Sequence, residues 1–224
     1  MPSDTSRTQL TIFDCDGVLV DSELIANRVF CAMLNEAGLQ VSLDDMFEKF
    51  VGRSMQYCYE LIAGLLKRPL PEAFDLELRQ RTVAALKAEL KAVRGIVAVL
   101  DELDTRGLRY CVASSGTHEK MRTTLGITGL LPRFDGRLYS VTEVAHAKPA
   151  PDVFLYAAAK NGAAPSDCRV VEDSPTGVKA GVAAGMTVFG YSGLTPRQRL
   201  IEAGAHFVVN DMSELPALWF GSSP

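Results

Sequence analysis

Short apolar segments alternate with amphipathic segments along most of the chain. Each apolar segment has four to six residues, is rich in β-branched or aromatic side chains and ends in a polar loop. Continuous apolar runs separated by helical segments are typical of parallel strands that are buried on both faces. The pattern therefore predicts an α/β fold with a doubly wound parallel sheet, whose strands lie at residues 9–13, 108–113, 168–171, 186–191 and 206–209.

The segments between these strands carry the signals of helix ends. Residues 95–107 repeat apolar side chains at helical spacing and stop at a glycine. Ser174 is a favourable N-cap, and Pro175 after it suits the first position of a helix. A proline near the start and a glycine at the end recur in residues 149–162 and 195–204.

Residues 20–94 interrupt the alternation, because they contain helical patterns and no convincing strand. Val83, Leu86, Leu90 and Val93 follow each other at spacings of three and four, which predicts one helical stripe packed against neighbouring helices. The segment is therefore interpreted as a helical domain inserted after the first strand. The predicted domains are an α/β core of residues 1–19 and 95–224 and a helical insertion of residues 20–94.

Composition and charge limit the classes of partner. The chain has 224 residues, 47% of them hydrophobic, and a net charge of -4 without a block of Lys or Arg, which argues against nucleic acid. No apolar run approaches the ~18 residues of a membrane span, and the first residues lack an apolar signal segment. The five cysteines are scattered without a metal-ligand spacing, which favours reduced thiols. We therefore expect a cytoplasmic protein that binds neither nucleic acid nor membrane.

Two carboxylates follow the first predicted strand, at Asp14 and Asp16. A turn would explain one aspartate and Gly17, but it gives no reason for the pair. If the strand persists, its period of two directs both side chains to the same side. Two like charges there repel each other unless a cation separates them or one keeps its proton. The pair therefore points to chemistry at this strand end.

Other polar groups follow other strands, and the carboxyl ends of parallel strands meet at one edge of the sheet. Asp14, Asp16, Ser114 and Asp173 are predicted to be neighbours there, with Glu172 as a further candidate ligand. Carboxylates at this edge are hard ligands suited to Mg²⁺, and one of them can act as a nucleophile toward phosphorus. A thiol nucleophile at Cys15 is the weaker alternative, because nearby negative charge suppresses the thiolate.

The remaining groups fit a phosphoryl-transfer site. Ser114 and the backbone N–H groups around Ser115 and Gly116 can donate hydrogen bonds to phosphoryl oxygens. Lys148 supplies positive charge against the charge that develops in the transition state. Asp16 would protonate the leaving oxygen and later activate water.

Four motifs occur in order: "DCDGV" at Asp14, "VASSG" at Ser114, "AKPAPD" at Lys148 and "VVEDS" at Glu172–Asp173. In this set the sequence resembles the haloacid dehalogenase-like (HAD) hydrolase superfamily, over about residues 9–190. The resemblance implies that Asp14 is the nucleophile and Asp16 the general acid/base. It also implies Mg²⁺ held by Asp14, the Asp16 carbonyl and Asp173, with Glu172 close to the metal shell.

The helical insertion resembles the cap of the β-phosphoglucomutase-like subfamily, which by resemblance closes over the core and selects the substrate. Glu23 and Arg53 are the candidate substrate contacts in it, against the alternative that each is a solvated surface charge. The mutases of this subfamily carry a cap histidine where this chain has Ala26. They also carry a cap arginine where it has Met55. Both departures favour a phosphatase.

The leading hypothesis is a Mg²⁺-dependent phosphatase, a phosphoric monoester hydrolase acting on a small sugar or sugar-acid phosphate through an aspartyl-phosphate. The expected partner is this small molecule, with the chain a monomer or weak homo-oligomer. A sugar-phosphate mutase is the alternative enzyme. A receiver-type module that only accepts a phosphoryl group is disfavoured by the long insertion, and dehalogenation is disfavoured because it offers no leaving oxygen for Asp16 to protonate.

Overall fold

The computed structural model describes residues 8–50 and 55–221, without the side chains of residues 47 and 48. Within them, six strands form one sheet in which every neighbouring pair is parallel. The strands are β1 (Leu10–Phe13), β2 (Arg109–Ser114), β3 (Leu138–Ser140), β4 (Cys168–Glu172), β5 (Thr187–Tyr191) and β6 (Phe207–Val209). Their order is β3-β2-β1-β4-β5-β6, which confirms the predicted doubly wound parallel sheet.

The helices divide into two groups along the chain. Four follow β1 directly: α1 (Ser22–Glu36), α2 (Leu43–Lys49), α3 (Met55–Leu66) and α4 (Phe74–Glu89). The others alternate with the strands: α5 (Ile96–Thr105), α6 (His118–Ile127), α7 (Asp152–Lys160), α8 (Pro175–Ala183), α9 (Arg197–Glu202) and α10 (Glu214–Phe220). None of the helices in the described part of the chain combines the length and the apolar character that crossing a membrane requires.

The chain forms two compact units, one of Ser22–Leu90 and one of the chain before and after it. The sequence analysis placed the boundaries after residues 19 and 94, whereas the structure places them after Asp21 and Leu90. Backbone pairing explains the difference, because Val20 and Ala92 form an antiparallel bridge. The connecting segments therefore join each other and belong to the α/β unit.

The core of the α/β unit lies between the sheet and its helices. Ile12, Val170 and Val188 on the central strands are fully buried and belong to one apolar cluster with Phe154 of α7 and Val178 of α8. Strands buried in this way read as continuous apolar runs, which is why the sequence pattern revealed them. The helical unit has its own apolar cluster, built around Phe30, Phe50, Ile62 and Phe74.

The structure differs from the pattern in two places. It has a further strand, β3, which the pattern does not predict because it has only three residues and stands at the edge of the sheet. The stripe from Val83 to Val93 is not one buried helical face. Val83 is 50% exposed, and α4 ends before Leu90, which has the extended backbone that leads into the bridge at Ala92.

Candidate active site

The site is built where the sheet order reverses, at the carboxyl ends of β1 and β4. Phe13 pairs with Val171 in these neighbouring strands, and the next amide, of Asp14, donates to the Val171 carbonyl at 3.0 Å. Asp14 therefore lies beside Glu172, the last residue of β4. Ligands of doubly wound sheets bind at this kind of switch point, because the adjoining loops diverge there and leave a crevice.

Lys148 joins the two carboxylates. Its Nζ donates to Oδ1 of Asp14 at 2.6 Å, to Oε1 of Glu172 at 2.8 Å and to the Ala113 carbonyl at 3.1 Å. Its side chain is only 4% exposed, and Nζ also lies 4.7 Å from the centre of the Phe154 ring. The three acceptors use the three N–H groups of an ammonium, so its position is fixed.

Burial sets the electrostatics of this pair. Desolvation raises the pKa of Asp14 to about 7, because the attraction of Lys148, which acts to lower the pKa, does not offset burial and the added repulsion of Glu172. Desolvation also acts to lower the pKa of Lys148, but the two carboxylates hold it above its ordinary value. The two directions are compatible, because one ammonium is shared between two buried carboxylates. Lys148 therefore stays charged, whereas the desolvation cost of the Asp14 carboxylate is only partly offset by its contacts.

Glu172 is 1% exposed and has partners for both carboxylate oxygens. Its Oε1 accepts from Lys148, while Oε2 accepts from the backbone N–H of Ser174 at 2.8 Å and from its hydroxyl at 2.9 Å. Gly177 leaves the space for it, since a Cβ there would stand 1.7 Å from Oε1. Glu172 therefore contacts Lys148 and the start of α8, and its place close to the metal shell stays a prediction.

Asp173 lies against the loop that follows β1. A Cβ added at Gly17 would stand 2.1 Å from Oδ2 of Asp173, and Gly17 has a φ of 75°, which favours glycine. The glycine therefore allows the Asp173 carboxylate to approach the backbone directly after Asp16.

Asp16 has a cationic partner that the sequence analysis did not predict. Lys120, near the start of α6, donates from Nζ to Oδ2 of Asp16 at 2.7 Å. The hydroxyl of Ser114, 1% exposed at the end of β2, accepts from the Gly116 amide at 3.0 Å. Ser115 next to it is exposed. Lys120 stands four residues beyond the motif at Ser114–Gly116. The one sequence signal for it is its place in the first turn of a helix that follows a strand end.

The alternative nucleophile Cys15 is excluded by its surroundings. The residue is fully buried, and its Sγ lies 3.9 Å from the Thr124 hydroxyl. Burial, followed by the charges of Asp16 and Asp14, raises the pKa of the thiol well above its ordinary value. Cys15 therefore stays protonated and unreactive.

Two substrate contacts, Glu23 and Arg53, were predicted in the helical insertion. Glu23 lies half-buried in the first turn of α1, within the helical unit, and its contact with a substrate stays a prediction. Arg53 lies outside the described residues. His118 and His146 pair with the acidic side chains of Glu143 and Asp152.

The donor set at the sheet edge fits a hard divalent cation. Its charged groups are four carboxylates and two ammonium groups, which together carry two negative charges in excess when all are ionised; they are Asp14, Asp16, Glu172, Asp173, Lys120 and Lys148. Among the described residues, no three His, Cys, Asp or Glu side chains converge as a metal-binding group. Mg²⁺ does not need one, because it commonly takes one or two carboxylates and fills its other positions with water and phosphate oxygens.

Comparison with known proteins agrees with this geometry. The family model described as haloacid dehalogenase-like hydrolase matches residues 8–185. A 6-phosphogluconate phosphatase of Escherichia coli (strain K12) is 30% identical over 215 residues, which cover 96% of each chain.

Solved structures show the same likeness. A conserved haloacid dehalogenase-like protein of unknown function from Agrobacterium tumefaciens has 35% identity and a TM-score of 0.88, over 94% of this chain and 97% of that one. A HAD family hydrolase from Deinococcus radiodurans, solved with bound phosphate and sodium, has 30% identity and a TM-score of 0.85, over 94% of both chains.

Proposed function

The chain belongs to the haloacid dehalogenase-like hydrolase family, and we propose that it is a Mg²⁺-dependent phosphatase of sugar-acid or sugar phosphates. The observation that carries the proposal is the buried Asp14 carboxylate, held by Lys148 at the switch point of the sheet. A buried carboxylate fixed by a single ammonium is arranged as a nucleophile, since its orientation is set before the substrate arrives.

In the first half of the proposed reaction, Asp14 attacks the phosphorus atom. An oxygen–phosphorus bond forms to its carboxylate as the bond to the leaving oxygen breaks, which gives an aspartyl-phosphate and an alcohol. Lys148 and the hydroxyl of Ser114 supply positive charge and a donor near the phosphoryl oxygens. The amides around Ser115 and Gly116 add further donors.

Asp16 moves the protons in both halves. It gives a proton to the leaving oxygen, and it then takes one from the water that attacks the aspartyl-phosphate. The second attack breaks the bond between phosphorus and the Asp14 oxygen and releases inorganic phosphate. A general acid–base group that acts in this way typically contributes about 10²–10⁴-fold to the rate.

Asp14, Asp173 and the main-chain carbonyl of Asp16 would hold the metal ion. When bound, Mg²⁺ would supply the charge that keeps Asp14 ionised and reduces its repulsion of the phosphoryl group. Glu172 acts through Lys148, because it accepts a hydrogen bond from Nζ and so helps to fix the position of the ammonium.

The proposed substrate class follows from the relatives. The E. coli relative that matches nearly the whole chain is named for a sugar-acid phosphate. The unit Ser22–Leu90 would act as the cap that selects this substrate, with Glu23 and Arg53 as contacts. Ala26 and Met55 stand where the mutases carry a histidine and an arginine, so water should reach the aspartyl-phosphate.

Product analysis by ³¹P NMR tests the proposal. With Mg²⁺, 6-phosphogluconate and other sugar phosphates should yield inorganic phosphate, and Asp14→Asn should yield none. No release from any sugar, sugar-acid or hexitol phosphate would contradict a phosphatase of this class. Conversion of β-glucose 1-phosphate to glucose 6-phosphate with a bisphosphate primer, without free phosphate, would replace it by the mutase.

A further inference from the structure

We propose that Lys120 is a positioning residue, which orients the Asp16 carboxylate for the step in which water attacks the aspartyl-phosphate. The inference rests on the acid/base role of Asp16 in the proposed function. It adds a residue that lies outside the four motifs and that acts through Asp16.

The contact is short and joins distant parts of the chain. Nζ of Lys120 donates to Oδ2 of Asp16 at 2.7 Å across 104 residues of sequence. The Asp16 side chain is 15% exposed and that of Lys120 is 48% exposed. The carboxylate is therefore largely enclosed, while its cation reaches it from the solvent side.

The local structure fixes the path of the Lys120 side chain. Thr117 caps α6, and its hydroxyl accepts from the Lys120 amide at 3.2 Å, which sets the lysine in the first turn. A Cβ at Gly116 would stand 3.4 Å from Cδ of Lys120 and 3.7 Å from Oδ2 of Asp16. The Ser140 hydroxyl holds the Gly116 carbonyl at 2.7 Å. The loop between β2 and α6 thus leads the lysine over Gly116 to Asp16.

The ion pair has a catalytic rather than a structural consequence. Half-exposed ion pairs add little to stability, so removal of Lys120 should leave the fold intact. The ammonium holds the Asp16 carboxylate in one orientation. In the proposed function this carboxylate takes a proton from the attacking water as the phosphorus–Asp14 bond breaks, so the hydrolytic half depends on Lys120 most.

Steady-state and burst kinetics of Lys120→Ala separate the two halves. The substrate p-nitrophenyl phosphate has a leaving group that departs without a proton, so formation of the aspartyl-phosphate should proceed normally. We expect kcat to fall about tenfold or more, kcat/KM to stay near the wild-type value and a burst of p-nitrophenolate to appear. With 6-phosphogluconate, kcat should fall by a similar factor. Lys120→Arg should restore most of it.

A double-mutant cycle with Asp16→Asn shows whether Lys120 acts through Asp16. Lys120→Ala should slow wild-type protein but add little to Asp16→Asn. Arg122→Ala, which removes an exposed cation of the same helix, should leave kinetics unchanged.

Several results would overturn the inference. Additive losses in the cycle, or equal losses in kcat and kcat/KM for p-nitrophenyl phosphate, would mean that Lys120 binds substrate or supports the fold. Unchanged kinetics of Lys120→Ala in an active protein would overturn this inference alone. A wild-type protein that hydrolyses no phosphate ester would overturn the proposed function, and this inference with it.

Discussion

At the scale of single residues, the site depends on one ammonium between two buried carboxylates. Lys148 donates to both Asp14 and Glu172, and its side chain is 4% exposed. A buried pair of charges is costly to break, because the partner left behind keeps its desolvation penalty. Lys148 is therefore expected to matter for folding as well as for turnover.

Lys148→Met should destabilise metal-free protein by about 3 kcal/mol or more at pH above 7. The sign of the pH dependence follows from Asp14, whose pKa burial already raises to about 7. Without the ammonium this pKa rises further, so the cost is full when Asp14 is ionised and decreases as the pH falls and Asp14 takes up a proton.

Urea unfolding across this pH range measures the effect, with Lys179→Met on the exposed side of α8 as the matched control. A deficit that stays constant or grows toward low pH would contradict the assignment to unpaired carboxylates.

Asp14→Asn should reduce turnover by about 10⁴-fold or more, because an amide is a poor nucleophile. Acid quenching of protein during turnover tests whether Asp14 is the residue that becomes phosphorylated. Asp16→Asn incubated with a ³²P-labelled substrate should retain label on the protein, and Asp14→Asn should retain none. Asp135→Asn, an exposed change in the same unit, should behave like wild type. Label on Asp14→Asn would place the nucleophile elsewhere.

At the scale of elements, α8 connects the site to the core through two glycines. Gly177 leaves room for the Glu172 carboxylate, and Gly181 allows the helix to approach β5 closely. A Cβ at Gly181 would stand 2.7 Å from Cγ2 of Val188, which is fully buried. Because Gly181 has no side chain, α8, which contacts Glu172 at its start, can pack closely against β5.

Gly181→Ala should lower the free energy of unfolding by about 1–3 kcal/mol, because overpacking outweighs the gain in helix propensity. Adding Val188→Ala should recover part of the loss, since it removes the atom that the new Cβ would meet. Gly126→Ala in α6 is the matched control, with its nearest neighbour at 4.0 Å, and should stabilise by about 0.5–1 kcal/mol. A stable Gly181→Ala would show that α8 can shift outward.

The local signals predicted some elements well and others poorly. Ser174 caps α8 and Pro175 begins it, as their residue types indicated. The helix α4 was extended too far, because the spacing of Leu90 and Val93 fits a helix that the chain leaves at Glu89. The spacing of apolar side chains shows that a helix is possible, but it does not predict where the helix ends and pairing with another backbone segment begins.

At the scale of the whole molecule, acidic groups from distant parts of the chain collect at one sheet edge. Their excess negative charge predicts a strong dependence on a divalent cation. EDTA should abolish phosphate release, and Mg²⁺ should restore it. Mg²⁺ should also raise the melting temperature of the wild-type protein, because it binds the folded state, and raise it less for Asp173→Asn.

Differential scanning fluorimetry and phosphate release measure the two effects on the same samples. Full activity after metal removal would contradict the proposed ligand set of Asp14, Asp173 and the Asp16 carbonyl. An equal thermal shift in Asp173→Asn would remove Asp173 from that set.

The sequence by itself determined the type of fold and predicted the sheet edge at which the candidate site lies. Strands buried on both faces require continuous apolar runs, and parallel strands bring their carboxyl ends to one edge. These two rules predict that Asp14, Asp16, Ser114 and Asp173 are neighbours at that edge. The partners of the charged groups were decided only by the tertiary structure.

The contact of Lys148 with Asp14 spans 134 residues of sequence, and that of Lys120 with Asp16 spans 104. Glu172 shows the same limit, since a motif cannot tell which groups its two oxygens meet. Periodicity encodes the direction of a side chain relative to its own element, whereas a contact between elements depends on how they pack. For that reason the sequence determined the type of sheet and predicted the edge of the candidate site, whereas the packing of α6, α8 and the strands decided which ammonium pairs with which carboxylate.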